Sequence, residues 1–355
     1  MNGRNESWEL VVATPEDAQG IQKVFDDGDF KGDISVKFNR TPNPYRSFQN
    51  DGDHIVLPVA KDISTGDVLG VGGCVIRRAY VNGALQNTAY LTGLKILQSH
   101  QRRLNCIKPA YQLIRDQTAH YTPFYYTTIL KSNEAAIKLL EKQRKDMPSY
   151  IYLGDYTVFF LGTGGKSNSK GYTFERGYND TLAAFYQDHL PKYNLAPASE
   201  RLYGLTDNRF YCLKSPAGEI LAACAIWDQQ SYKQYIISDY GGIYKALSHL
   251  PIGLLGYPTM PKAGESANYA SIAALIILEE NQAIARLFLD LVLREAKQYD
   301  FMMLGLFENH PLTNVAQKFK HIKYQSRLYA VDYAKTPELS RGLDERPILL
   351  EVGLL

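Results

Sequence analysis

Apolar residues recur with two periods along residues 1–161, which predicts a sheet flanked by helices. Apolar runs of strand length stand at 8–13, 54–60, 68–78, 91–97, 124–130 and 150–161. Between them, apolar residues return at helical spacing in three stretches, which begin after Asp17, Cys106 and Asn133. Asn82-Gly83 is a strong hairpin signal between two of the runs. The segment 28–50 contains several prolines and glycines and is predicted to be irregular.

A stretch rich in glycine and serine at 162–171 divides the chain. Beyond it the same order of elements is predicted a second time. In both halves an asparagine, Asn133 or Asn309, precedes a helical pattern and then a tyrosine-rich strand. An internal repeat of this length indicates two domains of one plan. We predict domains at 1–161 and 172–355, joined by a linker at 162–171.

The most informative stretch is the corner at 98–106, which lies between an apolar run and a helical pattern. It contains Arg102 and Arg103, and Cys106 precedes the helix. A helix start turns several backbone N–H groups outward, and its dipole favours anions such as phosphate. The corner therefore fits a pyrophosphate. An ordinary strand-turn-helix corner with two solvated arginines is the alternative.

The corner resembles the acyl-CoA motif of the GCN5-related N-acetyltransferases, in which a strand is followed by Gln/Arg-x-x-Gly-x-Gly/Ala and a helix. Gln101 takes the first place of this motif, Leu104 that of the first glycine and Cys106 that of the small last residue. The resemblance implies an α/β fold with a mixed, mostly antiparallel sheet flanked by helices, present twice in tandem. It also implies acetyl-CoA or another acyl-CoA as co-substrate, with Arg102, Arg103 and Asn105 in the phosphate loop.

The same resemblance implies a place for the pantetheine arm of the co-substrate. In the family's fold, the strand before the corner and the next strand splay apart, and free backbone groups of the first strand contact the arm. By this resemblance, Leu94, Lys95 and Ile96 supply the contacts. Asn133 would lie near the far end of the arm, and a plain helix N-cap is its alternative role.

Catalysis in the family is a direct attack of the substrate amine on the thioester, which needs a base and a proton donor for the thiolate. Many members supply the donor from a tyrosine in the last helix, where this chain has Leu140. Tyr90, Tyr125 and Tyr126 are candidate replacements. In some tandem acyltransferases of similar build, N-myristoyltransferases among them, the terminal carboxylate is the base. The Leu355 carboxylate is thus a candidate base. A strand that completes the second sheet is the alternative for the apolar C-terminal tail, residues 346–355.

The second half differs from the first at its corner. Glu279 and Glu280 stand at the helix start that corresponds to 101–106. Two carboxylates at this place repel an anion. We therefore expect 172–355 not to bind CoA and to serve as a wall, a substrate-recognition surface or a dimer contact.

Composition narrows the remaining classes of protein. Hydrophobic residues are 45% and charged residues 21% of the chain, and the net charge of +2 does not favour nucleic acid. The four cysteines form no CxxC pair and the histidines no HExxH pattern, so we predict buried thiols and no metal site. We find no signal-peptide core and no apolar run of about 18 residues, so we expect a cytoplasmic protein without membrane contact.

Together these features predict an acyl-CoA-dependent N-acyltransferase, most simply one that transfers acetyl to a primary amine of a small molecule or peptide. The predicted catalytic residues are Tyr90, Tyr126 and Leu355. Leu104 and Leu140, which depart from the family's pattern, favour a second hypothesis, a non-catalytic protein that kept the fold for binding. A homodimer is left open.

Overall fold

A computed structural model describes residues 7–29, 34–101, 104–142, 144, 147–169, 171–242, 245, 252–333 and 342–355. Its strands are β1 (Trp8–Val12), β2 (Ile34–Asn39), β3 (His54–Val56), β4 (Pro58–Asp62), β5 (Val68–Val81), β6 (Ala84–Ile96), β7 (Tyr125–Leu130), β8 (Ser149–Leu161), β9 (Thr173–Arg176), β10 (Phe210–Lys214), β11 (Ile220–Trp227), β12 (Gln234–Tyr240), β13 (Tyr269–Ile277), β14 (Phe301–Phe307) and β15 (His321–Asp332). Its helices are α1 (Ala18–Asp26), α2 (Pro44–Gln49), α3 (Ile107–Thr118), α4 (Glu134–Glu141), α5 (Asp180–His189), α6 (Gln282–Glu295) and α7 (Thr313–Ala316). None of these described helices is both long and apolar enough to span a bilayer.

Thirteen of the described strands form one continuous sheet. Its order is β1-β4-β5-β6-β7-β15-β8-β14-β13-β11-β10-β9, with β3 paired to β5. Neighbouring strands are antiparallel except β6 with β7 and β13 with β14, which are parallel. The two outer parts of the sheet thus follow one plan on either side of β15 and β8. The predicted α/β class, with a mixed and mostly antiparallel sheet, is confirmed.

The two central strands of the sheet cross between the halves of the chain. β15 lies between β7 and β8, so Ser326 faces Leu130 on one side and Tyr156 on the other. β8 also pairs with β14, where Tyr156 faces Phe307. Each outer part of the sheet therefore continues into a strand from the other half of the sequence. The division into domains at 162–171 stays a prediction.

A separate two-stranded ribbon joins the halves at a second place. β2 pairs antiparallel with β12, and Phe38 faces Tyr235. The expectation of an irregular segment at 28–50 is therefore wrong. It failed because β2 finds its partner far along the chain and because Asn43 caps α2, accepting a hydrogen bond from the backbone N–H of Arg46.

A tight turn at Asn82-Gly83 connects β5 and β6. Asn82 and Gly83 both have positive φ, 54° and 77°, as a tight hairpin turn requires, so the predicted hairpin between β5 and β6 is confirmed.

The C-terminal tail contains one bridge, Ile348 with Asn194, and a short helical turn at Val352–Leu354. The alternative of a terminal strand is therefore wrong. Hydrogen bonds from side chains of both halves hold this segment in place, in place of the regular backbone pairing of a strand.

The four cysteines, Cys74, Cys106, Cys212 and Cys224, are buried and free, as the sequence predicts. Burial raises the pKa of the Cys74 thiol to about 12 and that of Cys106 to about 11. These thiols therefore stay protonated near neutral pH and act as small apolar core residues.

Candidate functional site

The site begins where β6 and β7 separate. Their parallel pairing ends at Tyr90 opposite Tyr126, although β6 continues to Ile96 and β7 to Leu130. A cavity of about 670 Å³ lies beyond this point, lined by residues of both strands. This is the splayed pair of strands that the family resemblance implies.

A bulge in β6 shapes one wall of the cavity. Gly73 faces Thr92 and Val71 faces Lys95, so β6 advances three residues where β5 advances two. Gly93, within the bulge, has a φ of 67° and lines the cavity. A side chain on Gly93 would also press on the Phe48 ring, which lies 3.2 Å from the position of its Cβ. Our reading of the sequence missed this residue, although a glycine inside a strand pattern is a signal for a bulge.

The three residues predicted to contact the pantetheine arm have different surroundings. Leu94 and Lys95 line the cavity, whereas Ile96 packs away from it, against the buried Leu104. The Lys95 ammonium donates to the backbone carbonyls of Phe25 and Gly28, both at 2.8 Å. Its side chain therefore fixes the end of α1 against β6, and burial lowers its pKa.

The predicted phosphate corner is described at Gln101, Leu104, Asn105 and Cys106, while Arg102 and Arg103 lie outside the described residues. Gln101 is exposed and donates to the carbonyl of Ile96 at 3.4 Å, and Asn105 is exposed. Leu104 stands at the position of the family's glycine, and its side chain turns into the core beside Gly70. Cys106 is the N-cap of α3 and its side chain does not cap the helix. The N-cap side chain of α3 therefore does not compete with an anion for this helix start.

The start of α6, which corresponds to the start of α3, is capped from within the chain. The Asn281 side chain accepts from the backbone N–H groups of Ala283 and Ile284 at 3.0 and 3.2 Å. Glu279 and Glu280 precede it with positive φ values of 53° and 51°. Capped amides and two carboxylates make a poor phosphate site, which supports our expectation for the second half.

The candidate tyrosines occupy three different environments. Tyr90 lines the cavity, and its hydroxyl lies 2.7 Å from the Thr128 hydroxyl. Burial raises the pKa of Tyr90 to about 12. Tyr126 packs behind Tyr90, with ring centroids 5.1 Å apart, and does not line the cavity. Tyr125 also lies away from the cavity, with its hydroxyl 2.8 Å from that of Thr118. The structure therefore brings Tyr90 alone of these three to the site.

The cavity is also lined by α4 and its N-cap, through Asn133, Ala136 and Leu140. The Asn133 side chain accepts from the backbone N–H of Ala136 at 3.1 Å, so its role as an N-cap is confirmed. Asn133 also lines the cavity, and its side-chain NH₂ group is a potential hydrogen-bond donor. Leu140, at the place of the family's tyrosine, lines the cavity with an apolar side chain. No proton donor comes from that position.

Leu355 lines the cavity, and side chains of both halves hold the residues before it. The Lys233 ammonium and the Gln229 amide donate to the carbonyl of Gly353 at 2.7 and 2.9 Å. The Arg77 guanidinium donates to the carbonyl of Leu354 at 3.0 Å. The sequence predicts Leu355 at the site. It does not predict the residues that hold Gly353 and Leu354, because they are distant in sequence.

A buried carboxylate organises the charges beneath the tail. Asp51 lies 2.8 Å from the Arg40 guanidinium and 2.7 Å from the Lys233 ammonium. Although burial pushes the pKa of Asp51 upward, Lys233 and Arg40 outweigh it and hold that pKa below its ordinary value. Burial lowers the pKa of Lys233 to about 7. Arg40 also lines the cavity, so this network links the cavity wall to the tail.

The ribbon of β2 and β12 closes the cavity from one side. Its contribution is apolar and aromatic, from Val36, Phe38, Tyr235 and Ile237. The Phe38 and Tyr235 rings lie 5.1 Å apart across the ribbon. The cavity therefore has walls from both halves of the chain.

No family model and no curated protein matches the sequence. Solved structures do match the fold. The N-myristoyltransferase of Saccharomyces cerevisiae with bound myristoyl-CoA aligns with a TM-score of 0.57 at 8% identity, over 92% of this chain and 83% of that one. A GCN5-related N-acetyltransferase from Sphaerobacter thermophilus aligns with a TM-score of 0.53 at 13% identity, over 97% and 98%. A GCN5-related N-acetyltransferase from Anabaena variabilis aligns with a TM-score of 0.50 at 11% identity, over 91% and 72%.

Proposed function

From the tandem fold of GCN5-related acyltransferases that this chain adopts, we propose that it transfers an acyl group from acyl-CoA to a primary amine. Acetyl is the simplest acyl group, and the acceptor is a small molecule or a peptide. The observation that carries the proposal is the continuous cavity that joins the separated ends of β6 and β7 to Leu355. The four buried free thiols fit a reducing compartment, and we place the activity in the cytoplasm.

The binding of acyl-CoA would use the first half of the chain. The start of α3, with Arg102 and Arg103, would hold the pyrophosphate. The backbone of β6 at Leu94 and Lys95 would lie along the pantetheine arm, beside the bulge at Gly93. The second half would contribute walls to the cavity and would bind no CoA, because its own helix start is capped.

The chemistry would take place between Tyr90 and Leu355. With a pKa of about 12, the Tyr90 hydroxyl keeps its proton at neutral pH and can donate a hydrogen bond to the departing thiolate. The Leu355 carboxylate would accept a proton from the substrate ammonium before or during attack on the thioester carbonyl. The apolar ribbon of β2 and β12 would keep water from the thioester.

Two measurements on one set of proteins test this proposal. Calorimetric titration with acetyl-CoA and free CoA should show binding to the wild type. The Arg102→Ala/Arg103→Ala variant should bind more weakly by roughly 1–3 kcal/mol, as the loss of charged hydrogen bonds produces. Release of free CoA thiol in the presence of a panel of amines should then show turnover by the wild type.

Arg78→Ala is the matched control, because Arg78 is an exposed arginine on β5 and does not line the cavity. Its affinity for CoA should equal that of the wild type. Absence of CoA binding by the wild type would overturn the proposal. Binding without turnover on any amine would favour the non-catalytic hypothesis, with Leu140 as its structural reason.

A further inference from the structure

The second half of the chain carries the same bulge as the first. On β13, Ala225 of β11 faces Ala273 and Ala223 faces Ile276, so β13 advances three residues where β11 advances two. Ala274, within this bulge, has a φ of 50°. By its place in the register, Ala274 corresponds to Gly93 of β6.

The two bulges differ in what lies against their backbone. Gly93 borders the cavity in which we place the acyl-CoA. The backbone N–H of Ala274 instead donates to the Glu351 carboxylate at 2.8 Å, and Glu351 is only 4% exposed. The bulge of the second half therefore contacts a residue of the tail, whereas the bulge of the first half would contact the co-substrate.

Glu351 is the first of three anchors in five residues of tail. The next two are the carbonyls of Gly353 and Leu354, held by Lys233 and Arg77. Gly353 has no room for a larger residue, since its Cβ would lie 2.5 Å from the Trp227 ring. After these anchors the chain reaches Leu355 at the cavity.

We infer that Glu351 is a positioning residue, which uses the bulge of the second half to hold Leu355 at the cavity. Both halves would then share the bulge, but with different uses. In the first half it borders the acyl-CoA, and in the second half it binds the chain's own tail. This inference rests on the proposed function for its kinetic consequence. Its structural consequence, an ordered tail, stands apart from any activity.

The surroundings of Glu351 show which property of its side chain is needed. Among the described residues, the charge of Glu351 acts on Tyr156, Tyr186 and Cys224, and burial holds the pKa of each well above its ordinary value, so they are neutral. Burial likewise raises the pKa of Glu351 to about 7, against the opposing effect of the Ala274 N–H. The anchor is therefore a hydrogen-bond acceptor first, and glutamine can replace it.

The test compares Glu351→Ala with Glu351→Gln and with Glu345→Ala, a control at an exposed glutamate of the same segment. Hydrogen–deuterium exchange of the amides at 349–355 reads out the order of the tail. We expect faster exchange in Glu351→Ala, and wild-type exchange in Glu351→Gln and Glu345→Ala. The acetyl-CoA affinity of all the variants should equal that of the wild type, which also shows that they are folded.

Turnover provides the second readout. Because a shift of about 1 Å in a catalytic group can cost about 100-fold in rate, kcat of Glu351→Ala should fall by at least tenfold with KM for acyl-CoA nearly unchanged. Glu351→Gln should restore kcat. Wild-type exchange and wild-type kcat in Glu351→Ala would overturn the inference. If Glu351→Ala does not fold, Glu351→Asp, which draws the carboxylate back from Ala274, takes its place.

The two proposals fail in different ways. A wild type without turnover refutes the proposed function, and the exchange data still decide whether Glu351 orders the tail. Turnover by the wild type with an unaffected Glu351→Ala refutes the positioning role alone.

Discussion

At the scale of single residues, the balance of buried charge beneath the cavity depends on Asp51. Its carboxylate contacts two cations, Arg40 and Lys233, and the side chains in these pairs are only 2–3% exposed. A buried ion pair adds little stability over an apolar pair, but removal of one partner leaves an unpaired buried charge. Loss of the Asp51 charge would leave the Arg40 guanidinium unpaired and would remove the counter-ion that keeps the buried Lys233 protonated.

We therefore predict that Asp51→Asn lowers the free energy of unfolding by about 3–5 kcal/mol, measured by urea titration of tryptophan fluorescence. The control is Asp207→Asn, which breaks the pair of Asp207 with Arg201, whose side chains are 61% and 50% exposed. That change should cost less than about 1 kcal/mol. Equal losses in the two variants would show that the Asp51 network does not behave as a buried one.

At the scale of elements, two helices, α4 in the first half and α6 in the second, begin with the same kind of cap in different surroundings. An asparagine caps α4 and another caps α6 in the same manner, through Asn133 and Asn281. Only Asn133 also lines the cavity. The same side chain thus has a structural role at both places and a ligand-facing role at one.

This difference gives a paired prediction. Asn133→Ala and Asn281→Ala should each lower the free energy of unfolding by about 1 kcal/mol, the typical value of an N-cap. Asn133→Ala should also weaken acetyl-CoA binding by about 0.5–1.5 kcal/mol, through the loss of one hydrogen bond. Titration calorimetry on both variants checks this, and equal affinities would limit Asn133 to its capping role.

Elements with a local signal could be predicted from the sequence, and those with a distant partner could not. The turn at Asn82-Gly83 and the cap at Asn133 depend on residues within a few positions, and both are present. β2 pairs with a strand of the other half, and the tail is held by residues at least 77 positions away in sequence, so nothing nearby in the sequence indicates either contact. The family motif indicates the corner at 101–106, whose role in binding stays a prediction, whereas the bulge at Gly93 and the contact of Glu351 with Ala274 become visible only in the structure.

At the scale of the whole molecule, the two halves share one sheet. β8 has both of its neighbours, β15 and β14, in the second half, and β7 has β15 on one side. The first half alone would therefore leave the edges of these strands unpaired. Walls of the cavity also come from both halves.

We predict that the fragment 1–161 alone shows no cooperative unfolding transition and does not bind acetyl-CoA. Expressed together with 162–355, it should form a complex that recovers binding, because β15 then returns to its place between β7 and β8. Circular dichroism and calorimetry of the fragment and of the co-purified pair make the comparison. A fragment 1–161 that folds cooperatively and binds acetyl-CoA like the full chain would contradict this prediction.

The late position of β15 in the sequence also delays the completion of the sheet during synthesis. β7 ends at Leu130 and β15 begins at His321, so roughly 190 residues must be made before β7 gains its second neighbour. At about 5–20 residues per second, this interval lasts roughly 10–40 s. During that time the nascent chain carries β7, and later also β8, with open edges beside aromatic side chains. The protein that results should rely on chaperones at the ribosome more than its final stability would suggest.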